Sequence, residues 1–411
     1  MKAKVLIFLL ALAGLLPLAA QAQLTYTTNN GAITITGYNG SPTNIVIPAY
    51  TNGYPVTSIG NDSLYYISSL TSITIPDSVT NIGEMAFVYC SSLTSVVIGN
   101  GVTSIGYQAF EDCTSLASIT IPNSVTIIGN SAFAYCPSLA SVVIGNGVTS
   151  IGNDAFYLCR SLTNVFIGSG VTSIGQYAFF CTSLTSITIS NNVTSMSSDA
   201  FANCASLTNI SVVSGNRAYS STNGVLFNSN KTVLIEFPTG LGGSYTIPNG
   251  VKSIGYEAFV YCTNLTSITI PNSVTIIGDL AFGEVDYSSL TNVTFLGNAP
   301  SLGGDYVFFG NYAPVVYYYY GTSGWGTTYG GLTTVMLAAP APQIEGGSNV
   351  GVQYGNFSFT ITGVTNQTAV IEASTNLMDW QPVWTNMLSG ASATFTDLQW
   401  TNYPARYYRA R

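Results

Sequence analysis

An isoleucine followed by glycine recurs at a fixed interval of 23 residues, at Ile59, Ile82, Ile105, Ile128, Ile151 and Ile174. Met196 follows at 22, and the register resumes at Ile254 and Ile277 after a jump of 58, one period plus a 35-residue insertion. Nine units in one register exclude an ordinary globular core and require a stack of similar coils, each burying its faces against its neighbours. The segments Ser118–Gly129 and Ser267–Gly278 are identical over twelve residues, which points to duplication within the gene.

One unit, SSLTSITIPDSVTNIGEMAFVYC, runs from Ser68 to Cys90. Leu70, Ile73 and Ile75 turn inward while Ser72 and Thr74 alternate outward, the pattern of a short strand with one buried side. Pro76, or glycine at Gly99, Gly145 and Gly168, ends that strand. Val79 and Ile82 form a second inward pair, Gly83 turns the chain, and Ala86, Phe87 and Cys90 have the spacing of a one-turn helix with its apolar side inward. The fold class expected is mainly β: a solenoid of 23-residue coils, each with short strands and a one-turn helix, followed by a small β-sandwich.

The Leu-x-x-Ile-x-Ile-Pro…Val-Thr-x-Ile-Gly-x-x-Ala-Phe-x-x-Cys unit resembles the BspA-like subclass of leucine-rich repeats over residues 45–338. An N-terminal β cap is expected at 23–44. The variant coil with the insertion falls at about 205–262, where Gly215-Asn216, Val225-Leu226-Phe227 and Tyr245-Thr246-Ile247-Pro248 match that family's pattern. A terminal cap is expected at about 288–338; it contains the run Tyr317-Tyr318-Tyr319-Tyr320 and Gly324-Trp325-Gly326. The resemblance implies cell-surface or extracellular adhesion without catalysis.

Residues 1–22 read as a signal peptide: Lys2 and Lys4, an apolar run from Val5 to Leu16, then Ala20-Gln21-Ala22 as a small-x-small cleavage site. Cleavage after Ala22 predicts a secreted or cell-surface product with no transmembrane span. The mature chain then carries seven basic and seventeen acidic residues, a formal charge of −10. That balance argues against nucleic acid, whose binding rests on clustered Lys and Arg. There is no histidine, which removes imidazole ligands, His general bases and Ser-His or Cys-His pairs. Glu111-Asp112 and Glu284 with Asp286 are the close acidic sets, and neither is placed in a cleft of the kind glycoside hydrolysis needs. No catalytic residue, metal ligand or cofactor site is assigned.

Cys90, Cys113, Cys136, Cys159, Cys181, Cys204 and Cys262 are read as holding one place in successive coils, with the missing residue of the 22-residue unit lying before Cys181. Parallel side chains one coil apart sit about 4.8 Å from each other, too far for a disulfide. They are expected to form a ladder of buried thiols.

Positions that vary between coils mark the solvent side. The pairs after Ile-Gly and before Cys supply Tyr107, Asp154, Tyr157, Tyr177, Tyr256 and Tyr261, the candidate partner-binding surface, because Tyr offers large contact area at low entropy cost. The plainer reading is that Asp, Asn and Ser there cap the short helix while Tyr shields its neighbours. The outward strand face carries two columns, one beginning Ser72, Ser95, Ser118 and the other Thr74, Val97, Thr120, Val143, Phe166. A hydroxyl lattice of that kind suits ice or crystalline polysaccharide, although Val97, Val143 and Phe166 interrupt it.

After Met336 the composition shifts. Residues 339–342 read as a stiff linker, and 343–411 as a β-sandwich that resembles fibronectin-type-III-like modules through Ile371–Leu377, Trp380 and Arg406-Tyr407-Tyr408-Arg409. The sequence therefore reads as an exported, non-enzymatic recognition protein for extracellular proteins or cell-surface glycans. A carbohydrate-binding protein and a purely structural envelope component are the alternatives.

Overall fold

The computed structural model describes residues 24–283, 289–310, 314–337, 341–345, 350–353, 355–363, 367–390 and 392–411. The leader, the pair Glu284 and Asp286, and linker residues 339 and 340 lie outside the described residues. The chain forms two compact units, one running to Ser183 and taking in Ser195–Ala200, the other comprising Leu184–Thr194 and Phe201–Arg411.

In the first unit, strands Leu24–Asn29 and Ala32–Tyr38 form an antiparallel hairpin, and the second of them pairs in parallel with Tyr54–Ile59. From there each Ile-Gly position adds a two-residue parallel rung, Asn81–Ile82, Ser104–Ile105, Ile127–Ile128, Ser150–Ile151, Ser173–Ile174 and Ser195–Met196. The longer strands of the repeat form a separate face, with Asn44–Val46, Ser72–Ile75 and Ser95–Ile98 in one ladder and Ser118–Ile121, Ser141–Ile144 and Asn164–Phe166 in another. Between the two faces lies one continuous aromatic stack. Phe87, Phe110, Phe133, Phe156 and Phe179 are fully buried, with successive ring centroids 4.9, 5.2, 5.4 and 5.3 Å apart and interplanar angles of 9° or less. The strict period puts identical rings one coil apart, and burial of those rings adds to the apolar gain from the Leu, Ile and Val of each coil.

The third side of each coil differs from the expected helical turn. No α-helix occurs among the described residues. Instead the segment makes consecutive turns, and alternate residues donate to the next coil: Met85 to Tyr107 O, Phe87 to Ala109 O and Tyr89 to Glu111 O, at 2.8 to 3.0 Å. Two residues per coil take left-handed backbone, as at Met85 (φ 54°) and Tyr89 (φ 58°). The i, i+1, i+4 spacing of Ala86, Phe87 and Cys90 fits either geometry. Hydrogen bonding between coils decides for the turn, because it gives the amides donors and acceptors along the stack that a single helical turn would leave orphaned.

Glycine after the isoleucine is needed for closeness rather than for a turn. A Cβ at Gly106 would stand 2.7 Å from backbone atoms of Gly83 and Glu84, and one at Gly152 would stand 2.6 Å from backbone atoms of Gly129 and Asn130. Neighbouring coils approach too tightly there for any side chain.

The second unit repeats the plan. The insertion forms an antiparallel meander of Tyr219–Thr222, Val225–Asn228 and Val233–Glu236, whose last strand restarts the parallel rungs at Ser253–Ile254, Ile276–Ile277 and Ser301–Leu302. Phe237, Phe259, Phe282 and Phe308 stack at 5.1, 4.9 and 5.1 Å. Tyr318 stacks on Trp325 at 4.9 Å, and Trp325 and Tyr329 both close on Phe295. Beyond Gln343 two antiparallel sheets, one built on Asn356–Thr362 and one on Thr368–Ser374, enclose Phe359, Ile361, Ala369, Ile371, Leu388 and Phe395 as a small β-sandwich. Buried Glu372, on the central strand of the second sheet, is held by Arg409 at 2.7 Å and Arg411 at 3.0 Å.

Candidate functional site

The turn side of the first unit displays aromatic and acidic side chains, and its geometry follows from the left-handed positions. Positive φ recurs in two columns, Asp62, Met85, Gln108, Ser131, Asp154, Tyr177 and Tyr66, Tyr89, Asp112, Tyr135, Leu158, Cys181, whose residues are exposed or half-buried. Such φ values are costly for bulky residues. The hydrogen bonds to the next coil hold them there.

Two aromatic groups result. Tyr65, Tyr66 and Tyr89 form a triad with centroids 5.6 to 5.9 Å apart, and Tyr66 is 64% exposed. Tyr135, Tyr157, Phe180 and Tyr177 form a chain with successive centroids 5.5, 4.9 and 5.3 Å apart. Asp112 and Glu111 lie beside the triad. The Asp112 carboxylate is the main reason the Tyr89 phenol is held above its ordinary range. Burial and then Asp112 push Glu111 up, burial pushes Asp112 up, and burial followed by Asp199 does the same for Asp154. Burial is the larger cause for the three carboxyls, and neighbouring negative charge adds to it at Glu111 and Asp154.

Of the residues predicted from sequence, Tyr157 and Tyr177 are brought together through Phe180, and Asp154 is half-buried near them. Tyr107 is exposed. In the second unit Tyr256 is exposed and Tyr261 half-buried. Tyr65 and Tyr66 escaped sequence reading because the first coil has Ser63-Leu64-Tyr65-Tyr66-Ile67 where later coils have Ala-Phe-x-x-Cys. Alignment on Ile59 alone would have found them. Asn61, Asn130 and Asn153 cap no helix. Their Oδ1 atoms accept the backbone N–H of Glu84, Asn153 and Gln176 at 2.9 to 3.0 Å, each one coil on.

The thiols divide. Cys90, Cys113, Cys136 and Cys159 are buried, and each donates its S–H to the carbonyl of the preceding coil's leucine or phenylalanine (Leu64, Phe87, Phe110, Phe133) at 3.1 to 3.3 Å. Cys262 does so to Phe237 O at 3.5 Å, and Cys204 is also buried. Burial pushes the Cys90 thiol up to about 12 and raises Cys113, Cys136 and Cys262 as well. Cys181 departs from the expected ladder. It is partly exposed with φ 56°, which is the conformation of Leu158 one full period earlier, and buried Thr182 stands one period after Cys159. The missing residue of the 22-residue coil therefore falls after Thr182, not before Cys181. Cys181 is one of the groups near the Tyr157 phenol.

No group of three or more His, Cys, Asp or Glu side chains able to hold a metal is found among the described residues, nor is any of their helices long and apolar enough to cross a membrane.

Comparison with known proteins follows the same lines. The family model for the BspA type leucine rich repeat region, in six copies, matches residues 57–180, 103–230 and 243–313. A leucine rich cell surface protein of Faecalibacterium prausnitzii A2-165 is 30% identical, covering 73% of this chain and 88% of its own, with a TM-score of 0.57. A leucine-rich repeat protein of Eubacterium ventriosum is 25% identical, covering 74% of this chain and 72% of its own, with a TM-score of 0.48. No curated protein matches.

Proposed function

Because the chain belongs to the BspA-type leucine-rich repeat family, we propose that it is an exported, non-catalytic recognition protein that binds extracellular or cell-surface proteins through the turn side of its solenoid. The observation that carries this reading is the pair of outward aromatic groups, Tyr65-Tyr66-Tyr89 and Tyr135-Tyr157-Phe180-Tyr177, set among carboxylates on rigid backbone. Tyrosines fixed in place bury large areas at little entropic cost, and they are the residues that dominate protein interfaces. The acids indicate the partner's sign. Among the described residues of the first unit there are seven acids, Asp62, Asp77, Glu84, Glu111, Asp112, Asp154 and Asp199, and one basic residue, Arg160. A basic protein surface complements that field and would be steered to it at low salt.

The cell-surface description of the Faecalibacterium relative supports the placement outside the cell that the leader suggests. The fibronectin-type-III-like reading of residues 343–411 belongs to this proposal too, as a spacer or attachment module. The test is surface-immobilised binding of the full chain to a panel of basic, neutral and acidic extracellular matrix proteins. Saturable binding to basic members, weakened by salt, is expected. Silence across the panel would move the assignment to a structural envelope role.

A further inference from the structure

The strand side of the first unit holds a second feature, remote in the coil from the tyrosines. A groove of about 600 Å³ crosses the strands Ser95–Ile98, Ser118–Ile121, Ser141–Ile144 and Asn164–Phe166. Its floor is the outward column Val97, Thr120, Val143 and Phe166, of which Phe166 is 58% exposed. One bank carries the exposed amides of Asn100, Asn123 and Asn146, recurring once per coil. Asn123 Oδ1 accepts the backbone N–H of Asn146, and Asn146 Oδ1 accepts that of Ser169. With those oxygens engaged along the stack, the amides offer N–H donors to a ligand. The opposite bank carries the hydroxyls of Thr94, Ser95 and Ser118.

The ladder beneath this groove is interrupted. Ser95–Ile98 pairs with Ser72–Ile75, and Ser118–Ile121 pairs with Ser141–Ile144, yet among the described residues no ladder joins Ser95–Ile98 to Ser118–Ile121. Val96 is only half-buried, whereas its equivalents Ile73, Ile119 and Val142 are buried. Two facing strand edges thus carry backbone groups without ladder partners at the groove floor, which a polar ligand would satisfy.

None of the lining residues is ionisable, in a chain of formal charge −8. The lining also lacks the Tyr, Trp and Arg anchors that hold protein partners. What it offers is an apolar stripe between two rows of neutral hydrogen-bonding groups, repeated along its length. A chain of pyranose rings has that form, with apolar C–H faces flanked by hydroxyls. We propose that this groove binds an extended, neutral polysaccharide, its ring faces resting on Val97, Val143 and Phe166 and its hydroxyls held by the asparagine and serine rows.

The test is calorimetric titration of the full chain with cellohexaose, xylohexaose and mannohexaose, with polygalacturonate and an uncharged Ser/Thr-rich peptide as comparisons. At least one neutral hexasaccharide should bind, with affinity unchanged between about 0.05 and 0.5 M salt. Phe166→Ala and Asn123→Ala should each weaken binding about tenfold; an unchanged thermal transition verifies the fold of the exposed Phe166 variant, and an unchanged circular dichroism spectrum that of Asn123→Ala, which also loses the bond from Asn146 N–H. Tyr157→Ala should leave saccharide binding intact, which separates this site from the turn-side surface. Failure of all three hexasaccharides, preferential binding of polygalacturonate or the peptide, or indifference to Phe166→Ala would overturn the proposal.

Discussion

Native-state labelling of thiols gives a quantitative check on the coil register. All seven cysteines are thiols, and Cys181 alone among them is partly exposed. The Cys90 thiol, pushed from 9.0 to about 12 by burial, loses about three decades of thiolate at pH 8 relative to an ordinary cysteine. Reaction of Cys90 then slows by about 1000-fold before steric exclusion is counted, and reaction of the other buried thiols waits for unfolding because reagent cannot reach them. Treatment of the full chain with a maleimide at pH 8, followed by mass mapping, should therefore label Cys181 within minutes and the other six only in denaturant. Cys181→Ser should abolish the fast phase. Equal protection of all seven, or fast labelling at Cys136 or Cys159, would refute the placement of Thr182 in the thiol column.

Further expectations follow from the packing. Phe133→Ala removes a fully buried ring stacked on Phe110 and Phe156 and should cost about 3–5 kcal/mol in denaturant unfolding. Gly106→Ala forces a Cβ to 2.7 Å from the backbone of the coil before and should cost about 1–3 kcal/mol, whereas Gly53→Ala, where nothing lies within 4 Å but φ is +80°, should cost about 1 kcal/mol from strain alone. Glu372→Gln withdraws the buried carboxylate shared by Arg409 and Arg411 and should destabilise the C-terminal sandwich by about 1–3 kcal/mol, limited by the exposure of both arginines. Three of the four tryptophans, Trp380, Trp384 and Trp400, lie in that module, so fluorescence of a Trp325→Phe background reports its unfolding.

Much of the architecture was legible because the sequence repeats. Leu70, Ile73, Ile75, Val79, Ile82 and Phe87 are all buried where their spacing places them, and the antiparallel departure after Val212 falls in the insertion. The errors arose where one pattern admits two backbones. Ala-Phe-x-x-Cys fits a helical turn and a double turn alike, and only the hydrogen bonds between coils distinguish them. A single missing residue can be placed on either side of Cys181, and the left-handed φ at that residue settles it. The tyrosine groups were half visible. Tyr157 and Tyr177 stand out as variable positions, but their union through Phe180 depends on the same missing residue, and Tyr65 and Tyr66 sit in a coil without the diagnostic Phe and Cys.

The central claim is recognition through the turn-side tyrosines, and its most direct measurement is the dissociation constant of the full chain and of its Tyr157→Ala variant on one immobilised basic matrix protein. Loss of a central tyrosine anchor predicts a tenfold or greater weakening, at least about 1.4 kcal/mol, with the circular dichroism spectrum unchanged at the assay temperature. Equal affinity for the two proteins would contradict the account.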